Sequence, residues 1–130
     1  MGARCETGGV MDELAAVADD DFCYLTTRGR VSGRPHEIEI WFAHDGATLY
    51  LLSGGGDRSD WVRNLRADPS VTVRLRDTTY AGAARVVEVG EESERGRGLV
   101  FDKYQPRYDG SLERWRRESL LVALDVRRAD

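Results

Sequence analysis

Residues 36–52, HEIEIWFAHDGATLYLL, constrain the fold more than any other stretch of this 130-residue chain. Ile38, Ile40 and Phe42 alternate with Glu37, Glu39 and Trp41. A period of two puts the two sets on opposite faces of a half-buried strand. His44-Asp45-Gly46 is a hairpin turn signal, and Ala47–Ser53 (ATLYLLS) reads as the returning strand.

The flanking segments extend the pattern. Residues 9–21 read as a short helix with Val10, Leu14 and Val17 on one face. Phe22–Thr27 is rich in strand formers, and Arg28–Pro35 is a turn punctuated by Gly29, Gly33 and Pro35. Asp57–Pro69 reads as a helix capped by Asp57 or Ser59, with Trp61 and Leu65 on one side. Ser70–Leu75 alternates, with Val71, Val73 and Leu75 inward. Tyr80–Gly90 is a longer strand in which Gly82 predicts a bulge. Glu91–Tyr104 reads as a helix start with a loose middle, and Ser119–Val126 as the last strand. About six strands at hairpin spacing, with two or three helices, make the chain mainly β with peripheral helices. A small antiparallel barrel fits better than a doubly wound sheet. One domain over 1–130 is expected, with residues 1–20 as an N-terminal helical segment.

Composition narrows the function. The net charge of −4 disfavours bulk nucleic-acid binding. No apolar run reaches the length of a membrane span, and the N-terminal residues lack the apolar core of a signal peptide, so the expectation is a cytoplasmic protein. Cys5 and Cys23 are the only cysteines; Cys23 lies in a strand pattern and is expected as a buried free thiol. No Walker A, G-x-G-x-x-G, C-x-x-C, H-E-x-x-H or G-x-S-x-G motif occurs. With two histidines, no metal site is expected. Glu37 and Glu39 fit an acid/base pair or a solvated face.

Three stretches remain as candidates. Thr26–Pro35 (TTRGRVSGRP) can offer backbone N–H groups, hydroxyls and the guanidinium forks of Arg28, Arg30 and Arg34 to a phosphate, or it is a charged turn. Ser53–Trp61 (SGGGDRSDW) sets glycines before a helix N-terminus with Arg58 and an indole, which suits an anion and a stacked ring, or packing of a core Trp. Tyr104 and Tyr108 stand four apart; a phenol can donate to a developing anion, or both rings pack at a barrel mouth.

Leu25-Thr26-Thr27, Gly29-Arg30, Ser32-Gly33, Asp45-Gly46, Ser53–Gly56, Trp61, Asn64-Leu65 and Ala67-Asp68-Pro69 together resemble the deazaflavin-dependent nitroreductase family. That family belongs to the pyridoxamine 5′-phosphate oxidase-like, FMN-binding split-barrel group. The match is good over about residues 24–76 and loose beyond. The resemblance implies a small antiparallel split β-barrel and an oxidoreductase using coenzyme F-420, with FMN as the alternative cofactor. It implies hydride transfer to a quinone, nitroaromatic or enone. A non-catalytic cofactor- or haem-binding module is the reading from another class. Carried over, Arg30, Ser32 and Gly33 hold the phosphate tail, and Ser53, Gly54, Gly55 and Gly56 approach the tail and ring edge. Trp61 and Asn64 buttress that loop, and Trp41 completes the cofactor set. Tyr104 and Tyr108 face the substrate as proton donors. Relatives often carry lysines where this chain has Val31 and Gly54, and proline where it has Glu39. Arg28, Arg34 and Arg58 are placed to supply the missing charge. A homodimer is expected, with Glu37, Glu39 and Trp41 as candidate seam residues.

Overall fold

The computed structural model describes residues 2–129, with side chains from residue 9 onward; the Cys5 side chain lies outside them. Helix α1 spans Gly2–Ala16. Strands follow at β1 Cys23–Arg28, β2 Pro35–Ile40, β3 Ala43–Asp45 and β4 Thr48–Ser53. A 3-10 turn at Gly56–Arg58 leads into helix α2, Asp60–Ala67. Then come β5 Ser70–Leu75, β6 Thr78–Val87, helix α3 Glu91–Tyr104, helix α4 Glu113–Glu118 and β7 Leu120–Arg128.

All seven strands form one antiparallel sheet in the order β2-β1-β5-β6-β7-β4-β3. The sheet curls into a half-barrel, the fold of the split-barrel proteins. β4 and β7 are buried on both faces, and their alternation builds two cores. Leu49, Leu51, Val122, Leu124 and Val126 point into the curl, where Leu14 of α1 and Leu65 of α2 close it. Tyr50, Leu52, Leu121 and Ala123 point the other way, under Val100 and Tyr104 of α3. Cys23 is a buried free thiol, and burial pushes it up to about 12.

Several expectations are corrected. β6 has no bulge, because Gly82 pairs in register with both Val71 and Val126. A Cβ there would meet Val126 Cγ1 at 3.0 Å and the Asp125 carbonyl at 3.1 Å, so the glycine serves close strand packing. α3 is continuous, since Gly96 lets it press onto Tyr50 and Leu121 and packing outweighs weak propensity. α4 and a seventh strand were not anticipated. β2 stops at Ile40 instead of running on through Phe42. The Phe42 peptide bonds to α3 side chains: its N–H donates to Tyr104 Oη at 3.0 Å, and its carbonyl accepts from Lys103 Nζ at 2.9 Å.

Candidate active site

Edge strand β2 separates two recesses. At its Ile40 end lies a space of about 720 Å³ bordered by Phe22, Glu39, Ile40, Trp41, Leu52, Gly54, Tyr108, Leu112, Arg114, Trp115 and Glu118. At its Pro35 end lies one of about 480 Å³ bordered by Gly29, Arg30, Ser32, His36, Glu37, Ile38, Asp60, Trp61 and Asn64. The Ser53–Trp61 segment bridges them, with Gly54 in the first and Trp61 in the second.

The first recess is aromatic. The break after Ile40 turns Trp41 onto Tyr104, with ring centroids 4.2 Å apart and planes parallel within 1°. Tyr108 and Trp115 stand near-perpendicular to Trp41 at 6.2 and 5.6 Å. Tyr108 is 48% exposed and free to meet a ligand. Tyr104 is not: it is 1% exposed, donates to the Asp21 carbonyl at 2.7 Å and accepts from Phe42 N–H. Burial raises its pKa further. The expectation that Tyr104 faces the substrate is therefore corrected; it carries the Trp41 ring from behind. Lys103 lies 3.6 Å above the Phe42 ring, and burial, with help from Arg107, pulls it down to about 8.

The second recess is polar and braced. Asn64, 4% exposed, donates to Thr27 Oγ1 at 3.1 Å and accepts from both the Arg30 backbone N–H and Nη1, at 3.2 and 2.7 Å. Arg30 Nη2 reaches Asp60 at 3.2 Å. Arg30 thus ties the first turn to α2 instead of standing open as an anion grip, and Asn64 braces that first turn and not the glycine loop it was expected to support. Arg28 leans on Asp68 at 3.5 Å and lies with Gly33 beside a different hollow. Arg34 and Arg58 are exposed, and neither meets a carboxylate among the described residues. Ser32 Oγ accepts from Arg34 N–H at 3.1 Å.

The glycine run answers to three causes. Gly56 has φ +57°, the left-handed region. At Gly55 a Cβ would fall 2.6 Å from Ser59 Oγ. These two glycines are required by the turn itself. Gly54 has ordinary room, 3.6 Å from Trp115, and borders the aromatic recess. Ser53 is buried, bonded to the Gly56 carbonyl at 3.1 Å and to Ser59 Oγ at 2.8 Å, so it shapes the loop. Ser59 is the N-cap of α2 yet makes no side-chain cap bond, because its hydroxyl is held by Ser53.

Sequence reasoning missed Trp115, Phe22 and Leu112. Trp115 left one signal: an indole amid Glu113, Arg114, Arg116, Arg117 and Glu118 must find an apolar partner elsewhere. Among the described residues no cluster of three metal-ligating side chains occurs, and no helix is long and apolar enough to cross a membrane.

The donor set fits a flat aromatic group with an anionic arm. Stacking surface and apolar walls lie at one end of β2, and the hydroxyl of Ser32 with the open guanidinium of Arg34 lies at the other. Glu37 and Asp60 also border the polar end, held by Arg74 at 3.9 Å and by Arg30.

The model of the F420H(2)-dependent quinone reductase family matches residues 4–124 of the chain. Among solved structures, an F420-H2 dependent reductase (FDR-A) is similar over 81% of this chain and 94% of its own, at 20% identity and TM-score 0.67. A conserved protein of Mycobacterium tuberculosis, Rv2991, is similar over 91% of this chain and 80% of its own, at 23% identity and TM-score 0.66. A protein of Listeria innocua described as a pyridoxamine 5′-phosphate oxidase matches over 91% and 96%, at 20% identity and TM-score 0.61. At these identities the structural likenesses establish the split-barrel fold.

Proposed function

The chain belongs to the F420H(2)-dependent quinone reductase family, and from that premise we propose that it reduces electron-poor small molecules, such as quinones, nitroaromatics or enones, in the recess beside Trp41. It is an oxidoreductase that uses coenzyme F-420. The single observation that carries the proposal is the aromatic recess of Trp41, Tyr108 and Trp115 lying beside the glycine loop.

When bound, the reduced deazaflavin supplies a hydride from ring carbon C5. Trp41, Trp115 and Leu52 give flat apolar walls and exclude water. Gly54 leaves room for a ring edge. Ser32, Arg34 and Arg58 face solvent on the turns that would hold the phosphate-bearing tail, and Arg30 and Asn64 keep those turns in place. Tyr108 is the hydroxyl left to give a proton to a neutral acceptor after reduction. A homodimer and a cytoplasmic setting complete the proposal. The exposed edge of β2 supports the pairing, and one structural relative at 22% identity is described as a domain-swapped dimer.

The test is fluorescence titration with oxidised coenzyme F-420, run beside FMN. Micromolar binding of the deazaflavin, weakened about tenfold or more by the double change Arg34→Ala and Arg58→Ala, is the expected result. Tyr108→Phe should lower kcat on menadione more than it changes cofactor affinity. Preference for FMN, or equal affinity in the double variant, would overturn the site assignment.

A further inference from the structure

One charge bordering the aromatic recess is left without an opposite charge. Glu39 borders the space, and its carboxylate meets no cation within ion-pair distance among the described residues. It accepts from Tyr24 Oη at 2.8 Å, a neutral donor that brings no charge to offset that of the carboxylate. Arg74, the nearby cation, is directed at Glu37 (3.9 Å) and the Tyr24 ring (4.3 Å). The other two charges on the recess, Arg114 and Glu118, pair with each other at 3.0 Å. The recess therefore presents one uncompensated carboxylate beside the rings of Trp41, Tyr108 and Trp115. Aromatic faces carry negative electrostatic potential and attract cations.

Proton supply points the same way. A neutral acceptor needs a hydride and then a proton. Tyr104, the more buried phenol, is held by backbone groups, which leaves the exposed Tyr108 as the one hydroxyl of the tyrosine pair open to the recess. A cationic acceptor needs the hydride alone.

We propose that the recess selects planar aromatic hydride acceptors that carry a positive charge, such as an N-alkylated azinium ring. This rests on the oxidoreductase reading above. The acceptor's electron-poor carbon gains a C–H bond with both electrons of the C5–H bond of the reduced deazaflavin, which is thereby oxidised. The donor's ring N–H proton goes to water, and the acceptor passes from cation to neutral molecule. The neutral product loses its attraction to Glu39, which favours release.

Two experiments test this, one without any hydride chemistry. Tryptophan fluorescence titrations compare 3-hydroxyphenyltrimethylammonium with its neutral isostere 3-tert-butylphenol on the wild-type protein. Binding of the cation tighter by about fivefold or more, and weakened by added salt, is the expected result. Equal or weaker binding of the cation overturns the proposal. In turnover with reduced coenzyme F-420, the kcat/KM for 10-methylacridinium relative to menadione should exceed one in the wild type and fall about tenfold in Glu39→Gln. A ratio that does not change on that substitution overturns the role of Glu39. If neither acceptor is reduced, the oxidoreductase reading fails, and the isostere comparison still decides the cation preference.

Discussion

At the scale of single residues, Tyr104 is the side chain whose surroundings decide most. Its ring supports Trp41, and its hydroxyl satisfies both the Asp21 carbonyl and the Phe42 N–H. Removing the hydroxyl leaves the buried Phe42 N–H without a partner, which costs about 1–3 kcal/mol. Tyr104→Phe should therefore lower stability by that amount in urea unfolding, while the stacked ring stays. A loss of turnover with unchanged stability would instead make the phenol a participant in the chemistry. The same contrast separates the two candidate tyrosines: identical side chains four residues apart differ because α3 ends between them, one inside the core and one on the rim.

At the scale of elements, α3 depends on a glycine that local propensity would reject. A Cβ at Gly96 would lie 2.7 Å from Tyr50 Cδ1 and 2.9 Å from Leu121 Cδ2. Alanine improves helix propensity by about 1 kcal/mol, but overpacking costs about 1–3 kcal/mol. Gly96→Ala should lower Tm, and a rise would mean that α3 sits looser on the sheet than described. Ala in place of the half-buried Gly98 should be neutral or stabilising in the same assay, since a Cβ there meets only Arg116 Nη2, at 3.6 Å.

At the scale of the whole molecule, one charged cluster ties four elements together. Arg85 of β6 bonds Glu92 of α3 at 2.8 Å and Asp125 of β7 at 2.6 Å, and Tyr50 of β4 donates to Glu92 at 2.8 Å. The Arg85 and Tyr50 hydrogen bonds hold Glu92 down at about 2, against an ordinary value of 4.5. A carboxylate whose folded pKa is depressed contributes stability that is fully present above its unfolded value. That contribution is lost as pH falls from about 4.5 through about 2. Acid unfolding should accordingly be less steep for Glu92→Gln in that window than for the wild type. Parallel curves would remove Glu92 from the pH dependence.

The same scales sort what could be read in advance. Period-two alternation placed β5 and the start of β2, strand-former content placed β1, β4 and β7 closely, and Asp45-Gly46 placed the turn into β4, since strand pleat and turn conformation are short-range properties. The family motif and the cofactor class were legible for a related reason: the motif lies largely on one contiguous segment around the glycine loop. Two local cues misled. Gly82 read as a bulge and the α3 glycines as a loose middle, because glycine marks both a broken element and a close approach, and only the neighbour across the gap tells them apart. The aromatic recess was not legible. Trp41, Tyr108 and Trp115 come from a strand break, a post-helical turn and a short helix, and they meet only because the sheet curls and α3 packs across it. The roles of Arg30 and Tyr104 were likewise decided by partners distant in sequence, Asp60 and Asn64 for one and Asp21 and Phe42 for the other. By itself the sequence determined most of the strands, the turns between them and the class of cofactor. The tertiary structure alone decided which polar side chains are bound by the protein and which are left open to a substrate, because hydrogen-bond partners are assigned by packing and not by order along the chain.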